Sequence, residues 1–460
     1  MNGTKRRWHQ TALAVLTVAA VVWATPTVLA QERTHSGTEN GEWRYWGGDA
    51  ASSRYSPLEQ INAENFEDLE VQWVWKGDNF GPTVDNILRS TPLYVNGRLY
   101  TVAGQRRTVV AIEPTTGETL WTFREPPTKR WELSMRKNYG KGVAYSEVDG
   151  ESRIYVVTPA FFLHALNPDT GYPIEDFGDN GTVDLLADFG YPYDPYDGIP
   201  TDIGYITNSS PPIVVNDTIV VGNAHEQGYH QSRRENVPGH ILAYDAKTGA
   251  HKWKFNVIPQ PGEFGHETWE SDAWTYTGNV SAWAPLSADP QLGLVYIVTD
   301  PPTNDYWGGE HPGDNLFATT ILALDAETGE RRWHFQTVHH DIWNYDNPTA
   351  PSLLDVIIDG ERVPILAQTT KQSFAYVLNR ETGEPVWPIE ERPVPESMIP
   401  GEQTSPTQPF PTRPAAYEMQ GVTEDEYKSL DEGVRGPIDD AQVNWSLWSP
   451  PFTESGQPIH

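Results

Sequence analysis

Short runs of apolar and β-branched residues punctuate this chain, as in Arg98-Leu-Tyr-Thr-Val102 and Thr218-Ile-Val-Val-Gly222. Runs of this length, bounded by Gly, Asn and Asp, predict strands rather than helices. Many lead into one recurring pattern: a small apolar residue, a larger one, then Asp, Asn or Glu, two further residues and Thr-Gly. A Trp usually follows four residues after the Gly. The copies are Ala111 to Gly117 with Trp121, Ala243 to Gly249 with Trp253, Ala323 to Gly329 with Trp333, and Val377 to Gly383 with Trp387; Ala165 to Gly171 is a degenerate copy without the Trp.

Each copy reads as a hairpin. The Asp or Asn side chain bonds its own backbone to start the turn, and the Gly supplies the positive φ where the chain reverses. A Trp at a fixed distance beyond the turn is placed to dock between neighbouring sheets. Repeated four-stranded sheets cannot bury both faces alone, so they pack radially as propeller blades. Five copies imply at least five blades in an all-β fold, and an unrelated β-sandwich gives no reason for a Trp at one offset four times. The repeat glycines at 117, 171, 249, 329 and 383 leave two long intervals, so two blades carry insertions, and insertions on one rim usually carry function.

The two ends differ from the middle. Lys5-Arg6-Arg7, an apolar run from Thr11 to Ala24 and Val28-Leu29-Ala30 form an export signal, so residues 1–30 are expected to be removed. Residues 31–390 hold the blades. From Pro388 to Pro414 the chain is Pro-rich and expected to be extended and largely without hairpins, while Thr423 to Glu432 is acidic and predicts a short helix. Residues 391–460 therefore read as an excursion and the start of a next blade. No later apolar stretch approaches the roughly 20 residues of a membrane helix, so no stable span is expected after signal removal.

Composition narrows the chemistry. The chain has 39 Pro, 38 Gly, 18 Trp and 21 Tyr, a turn-rich and aromatic mixture that suits short strands. With no cysteine, disulfides, thiolate metal sites, a lipid-bearing Cys and covalently attached haem are excluded, so any metal must sit on oxygen or nitrogen. Sixty-three acidic against 32 basic residues give a net charge of −31, which repels nucleic acid.

Three further stretches, with the repeat, carry a resemblance: Trp46-Gly-Gly-Asp-Ala-Ala-Ser-Ser-Arg-Tyr-Ser-Pro57, Val338-His-His-Asp-Ile-Trp-Asn-Tyr-Asp346, and the Pro-rich segment through Thr404-Ser-Pro-Thr-Gln-Pro-Phe-Pro411. From about Trp43 onward the chain resembles the pyrroloquinoline quinone (PQQ)-dependent alcohol and glucose dehydrogenases, most closely the membrane glucose dehydrogenase branch. The resemblance implies an eight-bladed quinoprotein propeller of which about five blades are present, as in a product truncated at its C-terminus. It implies a periplasmic enzyme that oxidises an alcohol or sugar hydroxyl by hydride transfer to PQQ, with Ca2+ (or Mg2+) as metal and an external quinone or cytochrome as electron acceptor.

The same resemblance implies roles for residues. Asp341 matches the general base and a metal ligand, and a carboxylate beside a hard cation stays ionised at neutral pH. Its alternative is a turn-capping Asp between blades. Glu226 matches a metal-binding carboxylate, while the usual Asn ligand falls at Pro301, leaving Asp300 or Asn304 as substitutes. Trp283 matches the floor beneath the quinone, since a flat ring needs a flat partner, against the alternative of an ordinary packing Trp. Lys371 matches the cation beside the reactive carbonyl, where negative charge develops. Ser209 and Lys141 match contacts to the cofactor carboxylates, with Lys replacing a more usual Arg. Lys137 or a neighbour is expected where another branch has a cysteine pair. Adjacent His339 and His340 point to opposite faces of an extended chain and cannot readily share one ion. Two alternatives stand beside the dehydrogenase: a non-catalytic propeller scaffold of PQQ-like repeats in the bacterial envelope, and a calcium-dependent carbohydrate hydrolase or lyase using Asp341 and Glu226.

Overall fold

The computed structural model describes residues 37–81, 87–225, 233–429 and 445–451. The expected export signal and Glu226 lie outside these residues. The repeat folds as expected into radial blades. Four sheets have four antiparallel strands hydrogen-bonded in sequence order, spanning Leu93–Phe123, Ala144–Asp184, Ile213–Phe255 and Ser287–Gln336; a fifth, Ser352–Asn379, has three. After Gly383 the fourth strand of that last blade is reduced to a bridge between Leu378 and Pro385, with Val386 N donating to Val377 O at 3.0 Å.

The hairpin chemistry repeats from copy to copy. In the third blade the Asp245 carboxylate accepts the backbone N–H groups of Lys247 and Thr248, and Gly249 N closes the turn on Asp245 O at 2.9 Å. Gly249 sits at φ +72°, in the left-handed region that a side chain disfavours. Beyond the turn the register sets Ala111 opposite Trp121, Ala243 opposite Trp253 and Ala323 opposite Trp333, with a bulge at the next residue in all three.

The Trp then locks one blade to the next. Trp121 lies over Gly171, Trp253 over Gly329 and Trp333 over Gly383, so closely that a Cβ on any of these glycines would fall within 2.7 Å of the indole. Each indole N–H also donates to a carbonyl three residues before that Gly, at 2.9 Å for Pro168 and Ala326 and 3.0 Å for Arg380. Between the second and third blades, where the repeat has no Trp, Tyr155 Oη donates to the corresponding Ala246 carbonyl at 2.6 Å.

Antiparallel order puts the Thr-Gly hairpins on one rim, and the connections between blades, with the loops between second and third strands, on the other. The long insertions lie on that second rim. The Trp46–Pro57 motif and the residues just before it tie the inner strands together: Trp43 pairs with Tyr94 of the first blade, Ala50 O accepts from Ala288 N of the fourth, and Ala51 O accepts from Leu353 N of the fifth.

The Pro-rich segment departs from expectation. Ile389–Pro393 and Thr407–Pro411 pair as an antiparallel hairpin. Its prolines are tolerated because the ribbon is only two strands wide, so each strand has an outward edge that needs no N–H donor. Glu424–Ser429 forms the expected short helix. Among the described residues no helix is long and apolar enough to cross a membrane.

Candidate functional site

On the insertion-bearing rim, loops from successive blades converge on a cavity of about 170 Å³. Its wall includes Arg89, Arg136, Ser209, Trp283, Asp300, Asp305, Asn344, Asp346 and Lys371. These positions are scattered over nearly 300 residues of sequence. The converging loops bring them together because each belongs to a segment leading into a blade or to a loop between its second and third strands.

One wall is cationic. Lys141 is buried, and its ammonium donates to Ser209 Oγ at 3.1 Å, Ser210 Oγ at 3.3 Å and the Trp283 carbonyl at 2.6 Å. It also sits 4.7 Å from the centre of the Trp283 ring. The charges that act on it are the guanidiniums of Arg89, Arg107 and Arg136, and burial together with this like-charge company holds its pKa well below the usual lysine range. Hydroxyls and a carbonyl solvate the ammonium, but they do not neutralise it.

The facing wall is acidic. Asp346 is buried and accepts the Trp283 indole N–H at 2.7 Å, while its other oxygen is paired with Lys371. Lys371 also donates to Asn344 O at 2.9 Å. Asp300 takes both the backbone N–H and the hydroxyl of Ser281, and burial, then the neighbouring Asp346 and Asp305 carboxylates, push its pKa well above the ordinary range. Trp283 joins the walls: its carbonyl faces Lys141 and its indole N–H faces Asp346. It is half-buried in the cavity wall.

The expected residues thus divide. Trp283, Ser209 and Lys371 line the cavity and Lys141 stands directly behind Ser209 and the indole. Asp341 does not line it. Its carboxylate is fully buried and accepts the Trp343 N–H at 2.9 Å, the Tyr345 N–H at 3.1 Å and the Thr319 hydroxyl at 2.8 Å. This is the turn-capping alternative. Positive φ at His340 (47°) and Asn344 (56°) coils the segment tightly, so that Asp341 closes the turn while Asn344 and Asp346 reach the cavity. Burial raises Asp341 to about 6.

The remaining candidates find structural roles. His340 bonds Gly313 O at 2.7 Å, and His339 bonds Gln336 at 3.0 Å and Glu391 at 3.2 Å, so the two do not converge on one ion. Pro301 O accepts from Asn279 Nδ2 at 3.0 Å, and Asn304 O lies 3.3 Å from His311 Nε2, whereas Asp300 does enter the cavity wall. Lys137 lies over Trp131 instead of the cavity. Sequence reasoning missed Arg89, Arg136, Asp305 and Asp346; only Asp346 had a local signal, standing at the end of the His-His-Asp-Ile-Trp-Asn-Tyr-Asp stretch.

The donor sets decide which groups fit. Arg89 and Arg136 in a cavity wall that also holds Trp283, with Lys141 over the indole and answered only by neutral oxygens, suit a flat ligand bearing several carboxylates. A metal is less well served. Among the described residues no group of three or more His, Asp or Glu is arranged to hold one, Asp341 spends its oxygens on its own turn, and Glu226 is outside the described residues.

A fold of Trp-locked blades with a cationic, indole-floored cavity at the converging loops defines a quinoprotein-type propeller. Residues 43–455 match the family model described as "PQQ: Glucose/ethanol/alcohol dehydrogenase, beta-propeller domain", and the chain belongs to this family. It is 34% identical over 413 residues to the glycerol dehydrogenase large subunit of Gluconobacter oxydans, a match covering 87% of this chain and 52% of that one. It is 32% identical to quinoprotein glucose dehydrogenase A of Acinetobacter calcoaceticus, covering 81% and 48%. The quinohemoprotein alcohol dehydrogenase of Comamonas testosteroni superposes with a TM-score of 0.65 at 25% identity, covering 82% of this chain and 53% of that chain. The chain spans about half the length of the curated relatives it matches.

Proposed function

We propose that the chain carries the PQQ site of a periplasmic dehydrogenase that oxidises an alcohol or sugar hydroxyl and passes electrons to an external quinone or cytochrome. The supporting observation is the buried Lys141 cluster. Three guanidiniums act on an ammonium buried over Trp283, an arrangement costly to the empty protein and relieved by a polyanionic ligand.

Bound PQQ supplies a quinone that accepts hydride. Trp283 offers a flat surface, with Lys141, Ser209, Arg89 and Arg136 as partners for carboxylates. Lys371, held by Asp346 and the Asn344 carbonyl, presents an ammonium where negative charge develops. The proton acceptor passes from Asp341 to Asp346, whose Oδ2 takes the substrate hydroxyl proton; of the two carboxylates, only Asp346 lines the cavity. Lys371 and the Trp283 indole hold that carboxylate in place. Ca2+ remains the family's expected metal, and no step is assigned to it.

Titration of the purified protein with PQQ, followed by absorbance and by quenching of tryptophan fluorescence, tests the assignment. Stoichiometric binding that Lys141→Met weakens supports it, together with dye reduction by an alcohol or aldose. Absence of saturable PQQ binding overturns it.

A further inference from the structure

The loop between the second and third strands of the first blade ends in Arg107, which sits at φ +48°. A side chain disfavours that left-handed region, and tight turns usually give it to Gly, Asn or Asp. The residue is 2% exposed and does not line the cavity. Backbone strain at a buried arginine directs attention to what its guanidinium holds.

The guanidinium joins three segments. Nη1 donates to Val157 O at 2.9 Å, where the second strand of the second blade ends, and to Asn208 Oδ1 at 3.2 Å. Nη2 donates to Asn208 O at 2.7 Å and to Arg136 O at 3.1 Å. Asn208 carries the connection onward, its amide donating to Gly222 O of the third blade at 2.8 Å. The next residue is Ser209, whose hydroxyl accepts from the Lys141 ammonium and whose carbonyl accepts Lys141 N, both at 3.1 Å. Between Arg136 and Lys141 the chain passes against the same side chain, since a Cβ at Gly140 would fall 2.9 Å from Arg107 Nε. One guanidinium thus meets the segments that carry Arg136, Lys141 and Ser209.

Its charge acts on the same place. Arg89, Arg107 and Arg136 are the cations that bear on Lys141. Arg107 and Arg130 in turn bear on Glu125, a buried carboxylate that accepts the Thr158 hydroxyl. Burial raises Glu125 to about 7, so this carboxylate is fully charged only in alkaline solution.

We infer that Arg107 is a positioning residue for the carboxylates of the cofactor: it sets Arg136, Lys141 and Ser209 at fixed separations, and its buried charge keeps Lys141 in need of an anionic ligand. This role rests on the proposed PQQ site. Its reach and its charge are separable. Lysine at this position keeps the charge, but an ammonium on a flexible stem cannot span Val157, Asn208 and Arg136 as the planar fork does. Arg107→Met combined with Glu125→Gln removes the buried cation together with its carboxylate and leaves an apolar side chain of similar length.

Two titrations test the role. NMR of isotope-labelled lysines in the empty protein, with Lys141 assigned by the signal that Lys141→Met loses, reads the charge; PQQ titration reads the reach. Arg107→Lys should leave the Lys141 midpoint as in the parent and weaken PQQ binding about tenfold. Arg107→Met with Glu125→Gln should move the midpoint up and weaken PQQ binding at least as much. A residue that only held the fold together would weaken binding in both variants and leave the midpoint in place. Parent-like PQQ affinity in both variants, or an unmoved midpoint in the double variant, overturns the inference. A parent that does not bind PQQ, with the midpoint still moving, sinks the PQQ assignment and the cofactor role with it, while the coupling of Arg107 to Lys141 stands.

Discussion

The two walls of the cavity handle charge in opposite ways. On the acidic wall the protein supplies its own answer: Asp346 has Lys371 and the Trp283 indole, and Asp300 has two donors from Ser281. On the cationic wall Lys141 has only hydroxyls and a carbonyl, with guanidiniums as its charged company. Charge settled internally positions side chains. Charge left over costs stability in the empty protein and marks the surface that a ligand of opposite sign completes.

The largest effect should come from the acidic wall. Asp346→Asn removes the proposed proton acceptor and the counter-ion of Lys371, and should lower turnover by about 100-fold to 10,000-fold. Steady-state kinetics should show this in kcat, while the PQQ titration stays nearly intact. A variant that turns over normally would return Asp346 to a purely structural role.

Next comes the cationic wall, where Lys141→Met should weaken PQQ binding by about 2–5 kcal/mol, the range for truncating one partner of a buried charge pair. The same variant should melt no lower than the parent without cofactor, because it removes a buried cation among cations. The two readouts moving in opposite directions would separate ligand recognition from packing. The depressed pKa carries a second consequence. Burial and the neighbouring guanidiniums disfavour the ammonium in the empty protein and a polyanion favours it, so binding at alkaline pH should take up protons. Calorimetry in buffers of different ionisation enthalpy reads this, and Lys141→Met should abolish it.

Smaller effects are expected where the cavity is not touched. Burial raises Asp341 above its ordinary 3.8 to about 6, so the folded state holds this proton more tightly than the unfolded chain and stability falls as pH rises through that window. Asp341→Asn should flatten the dependence, measured by thermal melts between about pH 4 and pH 6, and should leave kcat unchanged. A collapse of kcat instead would restore Asp341 as the base. Ser209→Ala removes one neutral oxygen from Lys141 and should cost PQQ binding about 1 kcal/mol.

Much of the architecture is legible in the sequence because its determinants are local. A Thr-Gly turn, an Asp or Asn that caps it and a Trp four residues on are one hairpin's worth of chain, and their repetition dictates radial packing. Trp283, Ser209, Lys141 and Lys371 were legible for another reason, since each sits in a short stretch that resembles a known family. Asp341 stands apart, since it caps a turn and does not line the cavity. Four residues separate it from Tyr345, whose N–H it caps, and the sequence does not reveal that His340 and Asn344 adopt positive φ, which turns one carboxylate into the loop and sends Asp346 to the cavity. The Pro-rich hairpin is equally hidden, because prolines argue against strands unless an open edge is available, and only the fold makes that edge.

The chain by itself thus determined the hairpins and the number of repeats, each set within a few residues by turn geometry. Tertiary structure alone decided which charges meet. Arg89 and Arg136 meet Trp283 at one cavity with Lys141 behind the indole, and Asp300 lies near Asp346, because loops from different blades end at the same place on one rim. Electrostatic interaction depends on that distance in space and not on separation along the chain.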